Sequence, residues 1–143
     1  MINFFLPMLP PTITQQEHDF KVVRGRVVVY DPPRLRDARQ KFMVLLAREA
    51  ANAQRMVDGE PLLPLEGPVR LVTKWLFPIP LGSGHLDGEW KVTKPDTDNL
   101  IKLFKDCMTR TGWWLDDAQV CSEITEKFYA DRPGIYVRVE RIP

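Results

Sequence analysis

Val69-Arg70-Leu71-Val72-Thr73-Lys74-Trp75-Leu76-Phe77 alternates with period two and carries apolar side chains on both sides. That pattern belongs to a central strand, covered on one face and partly sheltered on the other. Upstream, Leu35, Ala38, Phe42, Leu45, Leu46, Ala50 and Ala53 recur at helical spacing. Asp31-Pro32-Pro33 ends the run before them and starts this long helix. Downstream, Leu100, Leu103, Phe104, Cys107 and Met108 follow the i, i+3, i+4, i+7, i+8 series of a second helix that starts near Asp98, and Gly112 supplies its stop.

The remaining elements are read outward from these three. Ile2 to Leu6 is a short apolar run bounded by prolines, expected to open the sheet. A polar stretch from Thr12 to Asp19 leads to Gly25 and the β-rich run Arg26 to Tyr30, expected to return as a hairpin strand. Ser122 to Tyr129 and Ile135 to Arg141 are two further strands, joined by a turn at Arg132-Pro133-Gly134. Between them and the central strand, Pro78 to Val92 contains Pro80, Gly82, Gly84 and Gly88 and reads as a mobile loop, of a length uncommon unless functional or disordered. The expected fold class is α+β: one domain over residues 1–143, a mixed sheet of about five strands, and two main helices packed against it.

Composition is ordinary, with 44% hydrophobic and 27% charged residues, and suggests neither a disordered nor a fibrous architecture. The formal net charge of +1 leaves partner class to charge placement. Arg34, Arg36, Arg39, Lys41, Arg48 and Arg55 face only Asp37 and Glu49 along the first helix, a locally positive stretch fit to track phosphates or to be a solvated face. Cys107 and Cys121 have neither C-x-x-C spacing nor the density of a disulfide scaffold, so a reducing cytoplasm is the expectation. The apolar opening to Pro10 lacks a basic flank, is broken by Pro7 and is too short to span a bilayer, so no membrane anchor is expected.

The chemistry concentrates in Lys94-Pro95-Asp96-Thr97-Asp98-Asn99-Leu100-Ile101-Lys102 and in Trp113-Trp114-Leu115-Asp116-Asp117-Ala118-Gln119-Val120. Pro95 keeps Lys94 out of the helical region, and carboxylates two apart in an extended segment project to one side, so Asp96 and Asp98 are expected to converge. Lys102, four residues after Asp98, shares a helix face with it and can reach a phosphate held there. The helix N-terminus adds unpaired N–H groups. Asp117 returns after the Gly112 reversal as a third carboxylate. Acids a few Å apart repel by about 4 kcal/mol per pair at an effective dielectric near 20, so the cluster needs a divalent cation or a proton. Oxygen ligands at this density favour Mg²⁺ or Mn²⁺ over zinc, because His85 and Cys107 are not spaced as a zinc site.

Each motif has a plainer explanation. An Asp-x-Asp before an amphipathic helix can be an N-cap with a dipole-friendly charge, and Asp116-Asp117 can cap a short turn. Trp113 and Trp114 read as packing aromatics rather than base-stacking groups, and Phe104 and Met108 as core. His18 and His85 read as surface loop residues. Lys102 at i+4 and a returning acid, taken together, favour the functional explanation for the aspartates.

Asp96-Thr97-Asp98-Asn99-Leu100 together with Gly112 to Val120 resembles the RusA family of crossover junction endodeoxyribonucleases, most closely from Lys94 to Lys127. The resemblance implies a RusA-like fold and a homodimer that binds branched DNA, the four-way (Holliday) junction, and introduces paired nicks using Mg²⁺, with Mn²⁺ as a substitute. Matched by position, the family's metal-binding acids fall on Asp96, Asp98 and Asp117 and its catalytic lysine on Lys102, with Asp116 ranked behind them. Lys94 and Lys102, with Arg34, Arg36, Arg39 and Lys41 of the basic helix, are the expected DNA contacts. One departure stands out: only Lys91 and Lys94 precede Asp96, where family members carry a denser arginine cluster. Competing readings are a nuclease for forks or flaps in phage, prophage or bacterial recombination, and a non-catalytic DNA-binding or assembly protein. A divalent-dependent sugar transferase can also use Asp-x-Asp, but this sequence shows no nucleotide-binding βαβ unit with a Gly-rich turn.

Overall fold

The computed structural model describes residues 1–12, 19–30, 33–55 and 61–143. Its elements in chain order are β1 (Ile2–Leu6), β2 (Asp19–Val23), β3 (Arg26–Tyr30), α1 (Pro33–Arg55), β4 (Val69–Pro78), α2 (Thr97–Arg110), a 3-10 turn at Asp117–Gln119, β5 (Val120–Ala130) and β6 (Gly134–Arg141). Four strands form one sheet in the order β1-β6-β4-β5. β4 runs parallel to β5 and antiparallel to β6, and β6 is antiparallel to β1. The α+β class, the mixed sheet and the two main helices are therefore as expected, and β4 is an interior strand.

The strand Arg26–Tyr30 pairs elsewhere than in that sheet. It forms a separate antiparallel ribbon with β2, with Asp19 opposite Tyr30 and a turn at Arg24 and Gly25, both at positive φ. The run Asp19–Val23 escapes a periodicity reading because Asp19 and Lys21 interrupt its apolar residues. The polar stretch preceding it falls largely on residues 13–18, outside the described residues, as do Asp31 and Pro32. Pro33 occupies the first position of α1, where its missing N–H costs no helical bond.

The helices cover one face of the sheet. Along β4 the buried side chains are Val69, Leu71, Thr73, Trp75 and Phe77, while Arg70, Lys74 and Pro78 are exposed on the other side. Phe42 of α1, Phe104 of α2 and Trp75 of β4 meet edge to face with ring centroids 5.2 to 6.0 Å apart, an arrangement that suits the aromatic quadrupoles. Trp113 stacks on Phe4 at 4.9 Å and donates its indole N–H to the Leu46 carbonyl at 3.2 Å. Trp113 and Trp114 are both buried, in keeping with the packing reading. Cys107 is buried, and desolvation, helped by the Asp106 charge, pushes its thiol up to about 11, so it stays neutral as a packing group. Gly134 has no alternative: a Cβ there would fall 2.1 Å from the Phe5 ring and 2.7 Å from the Leu6 carbonyl oxygen.

The Pro78 to Val92 loop is strapped down rather than free. Gly88 N–H donates to Tyr129 O at 2.8 Å, Tyr129 N–H to Glu89 O at 2.8 Å and Lys91 N–H to Lys127 O at 3.0 Å, so the loop's second half lies along the outer edge of β5. His85 stacks on Tyr129 at 4.1 Å and pairs through Nδ1 with Glu89 Oε2 at 2.9 Å. Glycines invite a mobile reading, but backbone pairing to a strand edge supplies order that composition does not reveal. No helix among the described residues is long and apolar enough to cross a membrane.

Phe104 links both helices to the sheet and is fully buried. Phe104→Ala is expected to cost about 3–5 kcal/mol of stability, read from the midpoint shift in urea at unchanged slope.

Candidate active site

α2 begins at Thr97, one residue after the acid that precedes it. Asp96 is the N-cap, extended at φ −73° and ψ 147°, and its carbonyl accepts from Leu100 N–H at 3.2 Å. Asp98 already lies in the first helical turn. The rule that residues two apart share a side holds for extended chain, so it does not apply across this boundary, where each step turns the side chain by about 100°. Extended-chain geometry therefore does not bring Asp96 and Asp98 to one side. Asp98 faces an open cleft of about 320 Å³ lined by Asn99, Ile101, Lys102, Lys105, Asp117 and Glu123, while Asp96 is absent from that lining.

The helical part of the expectation is met: Asp98 and Lys102 line the same cleft. Asp117 joins them there from the far side of the Gly112 reversal. Gly112 sits at φ +87°, which a residue with a Cβ adopts only under strain, and it lets Trp113 N–H close back on Met108 O at 3.1 Å. Trp114 then donates its indole N–H to Thr109 Oγ1 at 2.7 Å, and the Thr109 hydroxyl is hydrogen-bonded to Asp117 Oδ1. A buried tryptophan thus fixes the hydroxyl that fixes the acid. Thr109 lies near the end of α2, so Asp117 docks well along the helix from Asp98 rather than against its start.

Asp116 and Asp117 divide the two explanations between them. The Asp116 side chain accepts from Ala118 N–H at 2.9 Å and completes a capping box with Gln119, so it is a structural cap. The Gln119 amide oxygen accepts from Leu115 N–H at 2.8 Å and Asp116 N–H at 3.1 Å, and its nitrogen donates to Leu65 O at 2.9 Å and Gly67 O at 3.0 Å. Asp96, by contrast, makes no side-chain cap bond although it occupies the cap position. Its carboxylate lies near Lys127 of β5 and favours the charged form of that lysine. Lys127 nonetheless falls below the usual lysine range, first through burial and then through the nearby Lys91 ammonium.

The cleft holds three carboxylates against two ammonium groups. Lys105 Nζ meets Glu123 Oε2 at 2.7 Å, which leaves Lys102 with Asp98 and Asp117 as the remaining charges. Every charged acceptor there is a hard oxygen; the soft candidates lie elsewhere, Cys107 in the core and His85 against Tyr129. The donor chemistry suits a divalent cation of the Mg²⁺ or Mn²⁺ type. Among the described residues no three acids, histidines or cysteines stand close enough together to hold an ion, so the expected convergence of Asp96, Asp98 and Asp117 on one point is not seen.

Glu123, Lys105, Thr109 and Lys127 were not singled out from sequence. A signal exists for two of them: on β5, Glu123 and Lys127 occupy the helix-facing side beside Leu71 and Trp75, where an apolar residue is the rule. The basic residues of α1 do not line the cleft. Arg34 and Lys41 border a separate hollow of about 320 Å³ formed with residues 8–12, Phe77 and Pro78, and Arg34 donates to Thr12 Oγ1 at 3.4 Å. Arg36 is exposed, Arg39 is half-buried against α2, and Lys94 is exposed ahead of α2. Because only Asp116 caps, Asp116→Ala is expected to cost about 1 kcal/mol of stability and Asp96→Ala less than about 0.5 kcal/mol, compared by urea denaturation.

The family described as Endodeoxyribonuclease RusA matches residues 9–140. The chain is 23% identical over 140 residues to the crossover junction endodeoxyribonuclease rusA of Lactococcus phage r1t, covering 98% of this chain and 96% of the phage protein. It is 26% identical over 127 residues to the uncharacterized protein YqaN of Bacillus subtilis (strain 168), covering 82% of each. With nearly its whole length matched, the chain belongs to the RusA family of endodeoxyribonucleases.

Proposed function

We propose that this endodeoxyribonuclease resolves four-way DNA junctions by paired nicks, acting as a homodimer with Mg²⁺, for which Mn²⁺ can substitute. The observation that carries the reading is the shared cleft of Asp98, Lys102 and Asp117 in a chain of this family. The similarity to a phage crossover junction endodeoxyribonuclease supports the substrate. Two symmetric cuts are most simply made by two sites related by a two-fold axis, which is the argument for the dimer.

Nucleases of the RusA family are divalent-metal-dependent in general. In this chain the acids open to a cation in the cleft are Asp98, in the first turn of α2, and Asp117, beside Thr109 near its end, and an ion bound there would supply an acidified water and charge stabilisation at the phosphodiester. The protein's own residues do the rest. Lys102, one turn beyond Asp98, places an ammonium where a phosphate oxygen enters the cleft. Thr109 keeps the Asp117 carboxylate in one orientation. The first turn of α2 presents unpaired N–H groups that favour the anionic backbone. Lys105, held by Glu123, keeps that acid neutralised until the substrate arrives.

The remaining contacts to branched DNA fall to Lys94, exposed ahead of α2, and to Arg34, Arg36, Arg39 and Lys41 on α1. Neutralising Arg36 or Lys94 is expected to weaken junction binding and to reduce the slope of log affinity against log salt by about one. For the chemistry, Asp98→Asn is expected to abolish cutting of a labelled four-way junction while leaving its binding near wild type. EDTA should stop the wild type, and millimolar Mg²⁺ should restore it. Faster cutting of forks or flaps would move the substrate, and a junction bound but never cut with any divalent ion would reduce the chain to a binding protein.

A further inference from the structure

The segment that carries Asp96 into α2 has no secondary structure of its own between the end of the strap and Thr97. Something else must hold it. Lys127 projects from β5 on the helix-facing side, in register with the fully buried Trp75. Its ammonium donates to Thr93 O at 2.6 Å and to Pro95 O at 2.7 Å, two carbonyls that neither helix nor sheet satisfies. The backbone of the same residue accepts from Lys91 N–H at 3.0 Å. One residue of the sheet therefore grips the approach to the site at both ends.

The surroundings show that this grip is directed at position rather than at charge alone. Lys91, the neighbouring cation, is turned aside: its Nζ bonds Thr93 Oγ1 at 2.5 Å and lies 5.2 and 5.1 Å from the centroids of the Phe77 and Tyr129 rings. Pro95 is buried beneath the segment while Asp96 is exposed. The Asp96 carboxylate is not engaged as a cap, so the backbone on either side of it decides where it points.

We propose that Lys127 is a positioning residue for the nuclease reaction, holding the Thr93 and Pro95 carbonyls so that Asp96 and the first turn of α2 are presented to substrate in one geometry. The proposal rests on the nuclease reading for its consequence but not for its structural half. Both halves are measured on the full-length protein, by amide exchange and by junction cleavage, with Lys127→Met and Lys127→Arg.

Lys127→Met is expected to speed exchange over residues 93–98 by at least about tenfold while strands β4 and β6 keep their protection. Its kcat should fall by about tenfold to a hundredfold with junction affinity within about twofold, as expected when geometry rather than binding is lost. Lys127→Arg, which retains donors for both carbonyls, should recover most of both effects. Wild-type exchange over 93–98 in Lys127→Met would overturn the proposal, and so would unchanged kcat despite a loosened segment. Uniformly faster exchange across the sheet, with no recovery by arginine, would make Lys127 a general stability residue and overturn it equally. If the wild type cuts no DNA, the nuclease reading fails, and the exchange result still decides whether Lys127 holds the segment.

Discussion

Two parallel strands cannot be joined by a tight turn. β4 and β5 lie side by side and parallel, so the chain must travel from the end of one back to the start of the other before it can pair again. The path from Ile79 to Gln119 is that return, and α2 is its middle. Asp96, Asp98, Lys102 and Asp117 all sit on it. The crossover is anchored at both ends by the same two strands and packed against α1 and the sheet, so Asp98 and Asp117, distant in sequence, are held to one cleft by a connection the topology requires.

Within that connection the polar groups are placed by apolar ones. Trp114 is buried for its ring, and its N–H then fixes Thr109 and through it Asp117. Trp113 is buried against Phe4, and its N–H ties the reversal to the backbone of α1. An indole suits both tasks because it adds one directed donor to a large apolar surface. The two tryptophans are core residues, as their surroundings demand, yet the carboxylate three residues beyond takes its orientation from one of them.

Much of this was legible from side-chain periodicity. The buried face of β4 follows its repeat, that of α2 does so with Ile101 added, and the i+4 relation of Asp98 and Lys102 survives because it depends only on helix geometry. The failures have a common cause. The pairing of Asp19–Val23 with Arg26–Tyr30, the strap on β5 and the docking of Asp117 on Thr109 are long-range or backbone-mediated contacts, which leave no period in the sequence. The relation of Asp96 to Asp98 turns on where the helix starts: with Asp98 as the N-cap both acids would lie on extended chain, and with Asp96 as the N-cap they do not. Glu123 and Lys127 show the opposite case, charges on the inner side of a strand, which could have been noticed as departures from the alternation around them.

Gln119 shows how narrow the chemical choice can be at a position without a reactive group. Its amide oxygen serves two backbone donors and its nitrogen two backbone acceptors, joining the turn that holds Asp116 and Asp117 to the chain leading into β4. Glutamate of the same shape would have no donor for the carbonyls of Leu65 and Gly67, and lysine would have no acceptor for the other pair. Substitution there is therefore filtered by amide chemistry and not by size, so a position two residues from Asp117 is held to a single side chain by backbone groups alone.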